Sequence, residues 1–499
     1  MSKWLLGLAI GLVVLLALAA AGVVWWTQDA NRLKPQIENL LSDTLEMPVS
    51  IDGDIQWQLW PPLFVTVDDL SAEDEDTRYD VAHLTLAVQF ADILANAGDW
   101  KVESLVLTDV AITSEGETTF LNAVEVSGYK PDAWAEVRAN GRQGELAFTG
   151  EGEMRHKTSE KLTLDLRNFH ITAGELDGTC NGQVFEVREV TETDEPDDAV
   201  LPLNTLRTYG WRADCDIPTV SMNGESFADL ALTTQSDASV VTSQLTVPDF
   251  FAGTAVFGLA QELEPTSANW LIEPRIDNVD PARLMAWLGR PLDWEGVLQV
   301  TGSIATTGNT QNELLDALDI DLNFDGGEGE IDISAIKQQI AALARYTEEA
   351  ASVEKWPDRW QYRHFVGAWR GRAEQHTLDF ALDNLTVLGE GTYNIMADTL
   401  DMDASLTFDD NPEYSRFDVN PLLVGLPIPA ECRGSLAEPN CRLDESQAMK
   451  NVGRALAQDE GALKSKLEEK IEEEVPEQYR DAARTLLDIL SGALGDDSE

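Results

Sequence analysis

Five histidines are the residues of this chain best suited to acid–base or metal chemistry near neutral pH. They are scattered, and no two are spaced as His-x-x-x-His or combined with cysteines in a metal-ligand motif. They are His83, His156, His170, His364 and His376. The chain also has no Gly-x-Ser-x-Gly motif, which presents the serine nucleophile of many hydrolases. We therefore predict that the protein is not an enzyme and has no catalytic residue.

Two other stretches have compositions that are found in ion and phosphate sites. Gly326–Glu330, "GGEGE", lacks the Lys-Ser or Lys-Thr that follows the glycines of a phosphate-binding loop, so it predicts a hairpin turn. Glu73–Asp80, "EDEDTRYD", concentrates carboxylates without the spacing of a calcium loop and predicts a solvated acidic segment. The sequence accordingly predicts no cofactor and no metal.

The net charge restricts the partners of the protein. Lysine and arginine number 35 against 89 aspartates and glutamates, for a formal charge of -54. Such a surface repels nucleic acid and anionic membranes, so we predict no nucleic-acid partner. The acidic residues are spread along the chain, which favours a role in solubility over one specific cationic partner.

An uncharged apolar segment at residues 4–26 is long enough to cross a bilayer as a helix. Interfacial tryptophans stand at its ends: Trp4 on one side, Trp25 and Trp26 on the other. Basic Lys3 precedes it, and the positive-inside rule places residues 1–3 in the cytoplasm. We predict a single-pass inner-membrane anchor with the bulk of the chain in the periplasm.

A signal peptide is the alternative to this anchor. Ala17–Ala21 contains two small-residue patterns that resemble cleavage sites. The apolar run continues to Trp26, which is too long for a typical signal sequence, so an uncleaved anchor is favoured.

Four cysteines remain, and none forms a Cys-x-x-Cys pair of the kind that binds zinc. An even number of cysteines in an oxidising compartment favours two disulfides. The simplest pairing is Cys180–Cys215 and Cys432–Cys441. Buried free thiols are the alternative.

Alternation of apolar and polar residues with a period of two predicts a mainly β protein with long antiparallel sheet. The pattern begins at Val49–Leu70 and is still present at Leu400–Phe408. Helical segments are few and short, so the apolar face must pack on a second sheet or remain open as a groove. The positions predicted to line a groove are Ile51, Ile55, Trp57, Leu59, Leu84, Leu86, Val88, Leu378, Phe380, Leu400, Met402 and Leu406.

The predicted helices lie before, within and after this β region. Asn31 is expected to cap an amphipathic helix directly after the anchor. Short helices are predicted at Pro281–Leu288 and Gln311–Leu318. The β domain is predicted over residues 27–443, and Glu/Lys patterning predicts a helical tail over residues 444–499.

The order of these segments resembles the AsmA family of inner-membrane-anchored periplasmic proteins of Gram-negative bacteria. Nearly the whole chain is covered, apart from much of residues 113–234, and the collinear set carries the resemblance rather than one motif. The segments are Asn31–Leu41, Ile51–Leu70, Phe90–Ile112, Asp280–Gly289, Leu322–Ile336, Leu388–Asn394 and Leu426–Asp444. One departure is Ala252 before Gly253, where the family usually has paired glycines.

The resemblance implies a long, curved sheet whose apolar inner face forms a groove, similar to TamB-like and chorein-type lipid-transfer proteins. It implies phospholipid as ligand and a function in outer-membrane lipid homeostasis and biogenesis. The alternative is a scaffold or assembly modulator that pairs its strand edges with outer-membrane proteins.

Overall fold

The structure is a computed structural model, and it describes most of the chain between residues 30 and 451. The described residues are 30–45, 47–58, 63–74, 77–88, 102–114, 117–157, 163–187, 193, 195–196, 198–334, 337–338, 340–341, 353, 355–409, 417, 424–435, 439–444, 446–448 and 450–451. The predicted anchor at residues 4–26 and nearly all of the predicted tail lie outside them. No helix in the described part of the chain is long and apolar enough to cross a membrane.

Strands dominate, with 67% of the described residues in strands and 12% in helices. This confirms the prediction of a mainly β protein built on long antiparallel sheet. The chain divides into two compact units. The first unit is Met1–Asp249 with Val256–Trp270, and the second is Phe250–Ala255 with Leu271–Glu499.

The strands that begin before residue 250 are long, except for β1 and β2, and they follow one another closely. They are β1 (Val49–Ile51), β2 (Ile55–Gln58), β3 (Leu63–Glu73), β4 (Thr77–Val88), β5 (Val102–Ser114), β6 (Glu117–Tyr129), β7 (Trp134–Gln143), β8 (Leu146–His156), β9 (Thr163–Ala173), β10 (Leu176–Glu186), β11 (Tyr209–Met222), β12 (Glu225–Ser236) and β13 (Val240–Phe250). From β3 to β13 each strand pairs antiparallel with the next, while β1 and β2 both pair with β3.

Strands β14 (Gly253–Leu263) and β15 (Ala268–Val279) have residues in both units. The second unit continues with β16 (Trp294–Glu295), β17 (Leu298–Gly308), β18 (Asp319–Asp325), β19 (Gly329–Asp332), β20 (Arg359–Tyr362), β21 (Phe365–Arg372), β22 (Gln375–Leu382), β23 (Leu385–Asn394), β24 (Thr399–Phe408), β25 (Ile428–Gly434) and β26 (Pro439–Leu443). Strands β17, β18 and β21 to β26 pair antiparallel in that order, and β16, β19 and β20 form a separate sheet.

The two segments with compositions found in ion or phosphate sites lie where strands end and begin. Glu73–Asp80 contains the end of β3 and the start of β4, which pair antiparallel. The prediction of a hairpin at Gly326–Glu330 is wrong, because the segment leads from β18 in the long sheet to β19 in the three-stranded sheet. The glycines suit either role, since Gly327 has a positive φ of 52°.

The first helix covers an edge of the sheet. A 3-10 turn at Ala30–Leu33 leads into helix α1 (Lys34–Leu45), whose Ile37 and Leu41 are buried. Asn31, which was expected to cap this helix, lies inside the 3-10 turn, and its Oδ1 accepts the backbone N–H of Ile55 in β2 at 2.9 Å.

Among the described residues, three further short helices with defined bounds lie at strand ends. They are α2 (Leu203–Thr208), α3 (Pro281–Trp287) and α4 (Gln311–Asp316). The last two lie where the sequence predicted them and begin at good N-caps: Asp280 for α3, and Thr310 in a capping box for α4.

Residues with positive φ interrupt several strands of the first unit near mid-length. Asp69, Asp109, Asn168 and Asp229 have φ values of 48°, 52°, 49° and 56°, a conformation that Asp and Asn adopt more readily than most residues. The register shifts at Asn168, where β9 carries one more residue than its neighbours β8 and β10. Because a bulge bends its strand and increases the local twist, β9 is bent at this position.

Candidate functional site: the apolar face of the sheet

Strand register brings the apolar side chains of the second unit onto one face. Directly opposed residues of antiparallel strands point to the same side. One row across β17 to β25 consists of Val300, Phe324, Gly367, Phe380, Val387, Leu406 and Ile428. The next row consists of Gly302, Leu322, Trp369, Leu378, Gly389, Ala404 and Ala430. Both rows are apolar throughout.

The opposite face of the same strands is polar and charged. Arg372 and Asp319 form an ion pair at 2.9 Å between β21 and β18. Arg433 of β25 lies 2.9 Å from Asp401 and 3.2 Å from Asp403 of β24. These exposed pairs contribute little stability, and their significance is that the charge of the unit lies on the side away from the apolar rows.

The predicted groove residues of the second unit lie on this apolar face. Leu378, Phe380 and Met402 are half-buried, so their side chains keep part of their surface accessible. Leu400 and Leu406 are buried at 7% and 8% exposure. The accessible apolar surface is therefore a band along the middle of the face.

The predicted groove residues of the first unit are mostly in a closed core. Ile51, Ile55, Leu84, Leu86 and Val88 are 0–4% exposed and pack in one cluster with residues of α1. Trp57 is half-buried beside that cluster, and Leu59 lies outside the described residues. These buried side chains present no open apolar strip at the start of the sheet.

An apolar band reappears further along the first unit. The side chains that form it are half-buried and lie on β8 to β13: Met154, Leu166, Val184, Trp211, Leu232 and Leu245. The sequence reasoning singled out no groove residue here, because glycines, serines and threonines dilute the alternation. The available signal was the Leu164/Leu166 alternation in β9.

Aromatic residues close one end of the apolar face in the second unit. Phe365, Leu382, Leu385 and Phe408 form a row of side chains that are at most 8% exposed. Trp356, Trp360 and Phe417 pack against this row, with Trp360 and Phe417 stacked at 3.8 Å between ring centroids. Trp360 Nε1 donates to Asp383 Oδ2 at 2.9 Å, so the buried indole N–H is satisfied.

A histidine interrupts the apolar face of the second unit. His376 of β22 is 4% exposed and lies between Gly371 and Gly391 on the neighbouring strands. Trp369 Nε1 donates to His376 Nδ1 at 3.2 Å. Burial lowers the pKa of His376, against smaller opposing contributions from nearby backbone groups. The ring is therefore neutral at pH 7.

A second buried histidine lies at the margin of the first unit's apolar face. His156 Nδ1 is 3.0 Å from the hydroxyl of Tyr129. Burial lowers the pKa of His156 and raises the pKa of Tyr129 to about 12. Both groups are thus neutral at pH 7, as expected for a pair embedded in an apolar core.

Both disulfides lie on the apolar face. Cys180 and Cys215 are directly opposed on β10 and β11, and Cys432 and Cys441 on β25 and β26. The predicted pairing is confirmed. Each bridge joins neighbouring strands at positions whose Cα atoms are 4.1 or 4.0 Å apart, the close spacing of an antiparallel pair.

The remaining candidates for chemistry are dispersed. His83 Nδ1 contacts Asp68 Oδ1 at 2.8 Å, and His170 Nε2 lies 3.4 Å from Asp177. Hydrogen bonding to Asp68 raises the pKa of His83. No group of three potential metal ligands occurs among the residues that the structure describes.

Comparison with known proteins adds no relative. No protein-family model matches the chain, and no curated protein matches its sequence. The resemblance to the AsmA family rests on the segments quoted above.

Proposed function

We propose that the chain is a membrane-anchored periplasmic lipid-binding and lipid-transfer protein of AsmA type, acting in outer-membrane lipid homeostasis. The observation that carries the proposal is the half-buried apolar band on the sheet, with charged side chains on the opposite face. Exposed apolar surface is costly in water, so an apolar ligand is the simplest cover for it.

Alkyl chains fit such a surface energetically. Each methylene that leaves water contributes about 0.8 kcal/mol, so two acyl chains can be held without a deep pocket. Rows of similar apolar side chains offer no strongly preferred position, which suits a ligand that moves along the band. A polar headgroup can remain in water beside it.

The scaffold alternative requires accessible strand edges, and the described edges argue against it. At the start of the sheet, Ser42 Oγ, Glu38 Oε1 and Asn31 Oδ1 accept the backbone N–H groups of Val49, Ile51 and Ile55. These backbone N–H groups at the strand edge are therefore already hydrogen-bonded. In the second unit, the last strand, β26, is short, begins with Pro439 and is bridged by a disulfide, and such features disfavour pairing with another strand.

The test is native mass spectrometry of the full chain released from gentle detergent. We expect co-purified phospholipid, and substitution of Leu378→Asp on the apolar band should reduce it. The matched control is Thr377→Asp, one residue away on the opposite face, which should leave lipid binding unchanged. A protein that is reproducibly free of lipid would overturn the proposal.

A further inference from the structure

A small polar site interrupts the apolar band of the first unit. Trp211 Nε1 donates to Thr234 Oγ1 at 3.1 Å, and Ser243 Oγ donates to the same oxygen at 2.9 Å. Thr234 of β12 is directly opposed to Ala213 of β11 on one side and to Ser243 of β13 on the other. Trp211, Thr234 and Ser243 are all half-buried, so a ligand on this face can reach them.

The hydroxyl group of Thr234 can donate one further hydrogen bond. A hydroxyl oxygen accepts two hydrogen bonds and donates one. Thr234 Oγ1 accepts from Trp211 and from Ser243, which uses its acceptor capacity. Within the described part of the chain no acceptor is bonded to the Thr234 hydroxyl hydrogen. The site is thus built to donate to an oxygen that lies over the sheet.

The site carries no charge. Its row in the sheet contains Gly182, Ala213, Thr234 and Ser243. The charged neighbours Arg212 and Asp214 lie on the other face and are exposed. Phosphate and carboxylate groups are usually held by arginine, lysine or several backbone N–H groups. A neutral acceptor oxygen is therefore the better match.

The surroundings of the site are mainly apolar, and buried Ser236, opposite Trp211, accepts the backbone N–H of Ala238 at 3.0 Å. Trp211 packs against buried Leu203 and Val241, where α2 covers the ends of the strands. Leu232 and Leu245 form the adjacent row. An oxygen held at Thr234 thus belongs to a molecule that also places apolar groups against these side chains.

We propose that Trp211, Thr234 and Ser243 form a binding site for the ester carbonyl of a glycerolipid, with the Thr234 hydroxyl as the donor. The ester carbonyl is a neutral acceptor attached directly to an alkyl chain, which is the combination that the site and its surroundings fit. This inference rests on the proposed lipid-binding function and adds to it a chemical preference within the lipid.

The experiment compares two phosphatidylcholines with identical chain lengths, one with ester-linked and one with ether-linked chains. The ether lipid lacks the carbonyl oxygens. Full-length protein is mixed with equal amounts of both, and native mass spectrometry measures the ratio bound. We expect a preference of about two- to tenfold for the ester lipid, the range of one neutral hydrogen bond.

Variants test whether the Thr234 hydroxyl causes the preference for the ester lipid. Thr234→Val should abolish it and still bind the ether lipid, while Thr234→Ser should retain it. The matched control is Thr233→Val, which changes the neighbouring threonine on the opposite, exposed face and should keep the preference. Equal binding of the two lipids by the unmodified protein, or a preference that survives Thr234→Val, would overturn the inference alone.

The two proposals fail in different ways. Unmodified protein that binds neither lipid would refute the lipid-binding function and the ester site together. Protein that binds both equally would leave lipid binding intact and refute only the ester site. If Thr234→Val fails to fold, the comparison of ester-lipid and ether-lipid binding by the unmodified protein still tests the ester site.

Discussion

His376 and His156 are kept neutral by burial in apolar surroundings, whereas His83 is exposed and paired with Asp68. Acid should therefore affect stability in one direction through the two buried histidines and in the opposite direction through His83. The pKa of each buried histidine is lowered and that of His83 is raised. No group of three potential metal ligands includes these histidines in the described part of the chain, and their titration is expected to affect stability.

Acidification should destabilise the protein through its buried histidines. In the unfolded chain a histidine gains its proton near pH 6.5, while folded His376 resists protonation to lower pH. Below about pH 6.5 the unfolded state thus binds more protons, and the free energy of unfolding falls by at most about 1.4 kcal/mol per pH unit for this group. His376→Gln should lose less stability than the unmodified chain on acidification, as measured by denaturant midpoints.

His83→Gln provides the opposite control. The stability that the raised pKa of His83 contributes is present below about pH 6.5 and is lost as pH rises through its folded pKa. Removing His83 should make the loss in acid steeper. Identical pH profiles for His376→Gln and the unmodified chain would contradict the assignment of a neutral, buried His376.

At the scale of elements, α1 protects the strand edge at the start of the first unit. The preceding 3-10 turn presents Asn31, and the helix presents Glu38 and Ser42, to backbone N–H groups of β1 and β2. Strand edges with unpaired N–H groups attract other strands, and these side chains occupy the donors instead. The helix therefore protects the edge as well as contributing Ile37 and Leu41 to the core.

Removing one of these acceptors should expose the edge. Glu38→Ala leaves the N–H of Ile51 without its acceptor, at a cost of about 1–3 kcal/mol while the group stays buried. Asp43→Ala, on an exposed position of the same helix, is the control and should change stability little. Denaturant midpoints measure the loss, and sedimentation should show concentration-dependent association when Asn31, Glu38 and Ser42 are all replaced by alanine.

The two disulfides should differ in their contributions to stability. Their cysteines are separated by 35 and 9 residues, and loop-closure entropy predicts about 4 kcal/mol for the first and about 2.5 kcal/mol for the second. Cys180→Ser with Cys215→Ser should therefore lower the denaturation midpoint more than Cys432→Ser with Cys441→Ser. Equal losses of stability in the two double variants would argue against an explanation by loop-closure entropy.

At the scale of the whole molecule, charge is the dominant property. A formal charge of -54 on 499 residues disfavours every compact state through self-repulsion. In both units, charged side chains alternate with the apolar ones along the strands. The like charges therefore repel one another mainly across the solvent-exposed face.

Added salt should stabilise the folded protein. The Debye length shortens from about 30 Å at 0.01 M to about 10 Å at 0.1 M ionic strength, which screens repulsion between distant carboxylates. We expect the thermal midpoint of the full chain to rise over this range and to level off above it. A midpoint that falls with salt would mean that ion pairs such as Arg372–Asp319 outweigh the net repulsion.

The sequence by itself determined the local features. Period-two alternation predicted antiparallel strands because adjacent side chains on a strand must face opposite sides. Short helices were predicted at Pro281–Leu288 and Gln311–Leu318, and α3 and α4 begin there behind caps that act within four residues, Asp280 and Thr310. The simplest pairing of the four cysteines, Cys180–Cys215 and Cys432–Cys441, is the one that the structure contains.

Only the tertiary structure decided which apolar side chains are sealed and which remain accessible. Alternation assigns a residue to a face but cannot say what covers it, and Leu84 and Leu378 have the same local pattern with different burial. Closure depends on distant segments, as when Phe417 stacks on Trp360. The Trp211–Thr234–Ser243 site likewise requires the register of three strands, and register is set by hydrogen bonds between strands, which no single stretch of sequence contains.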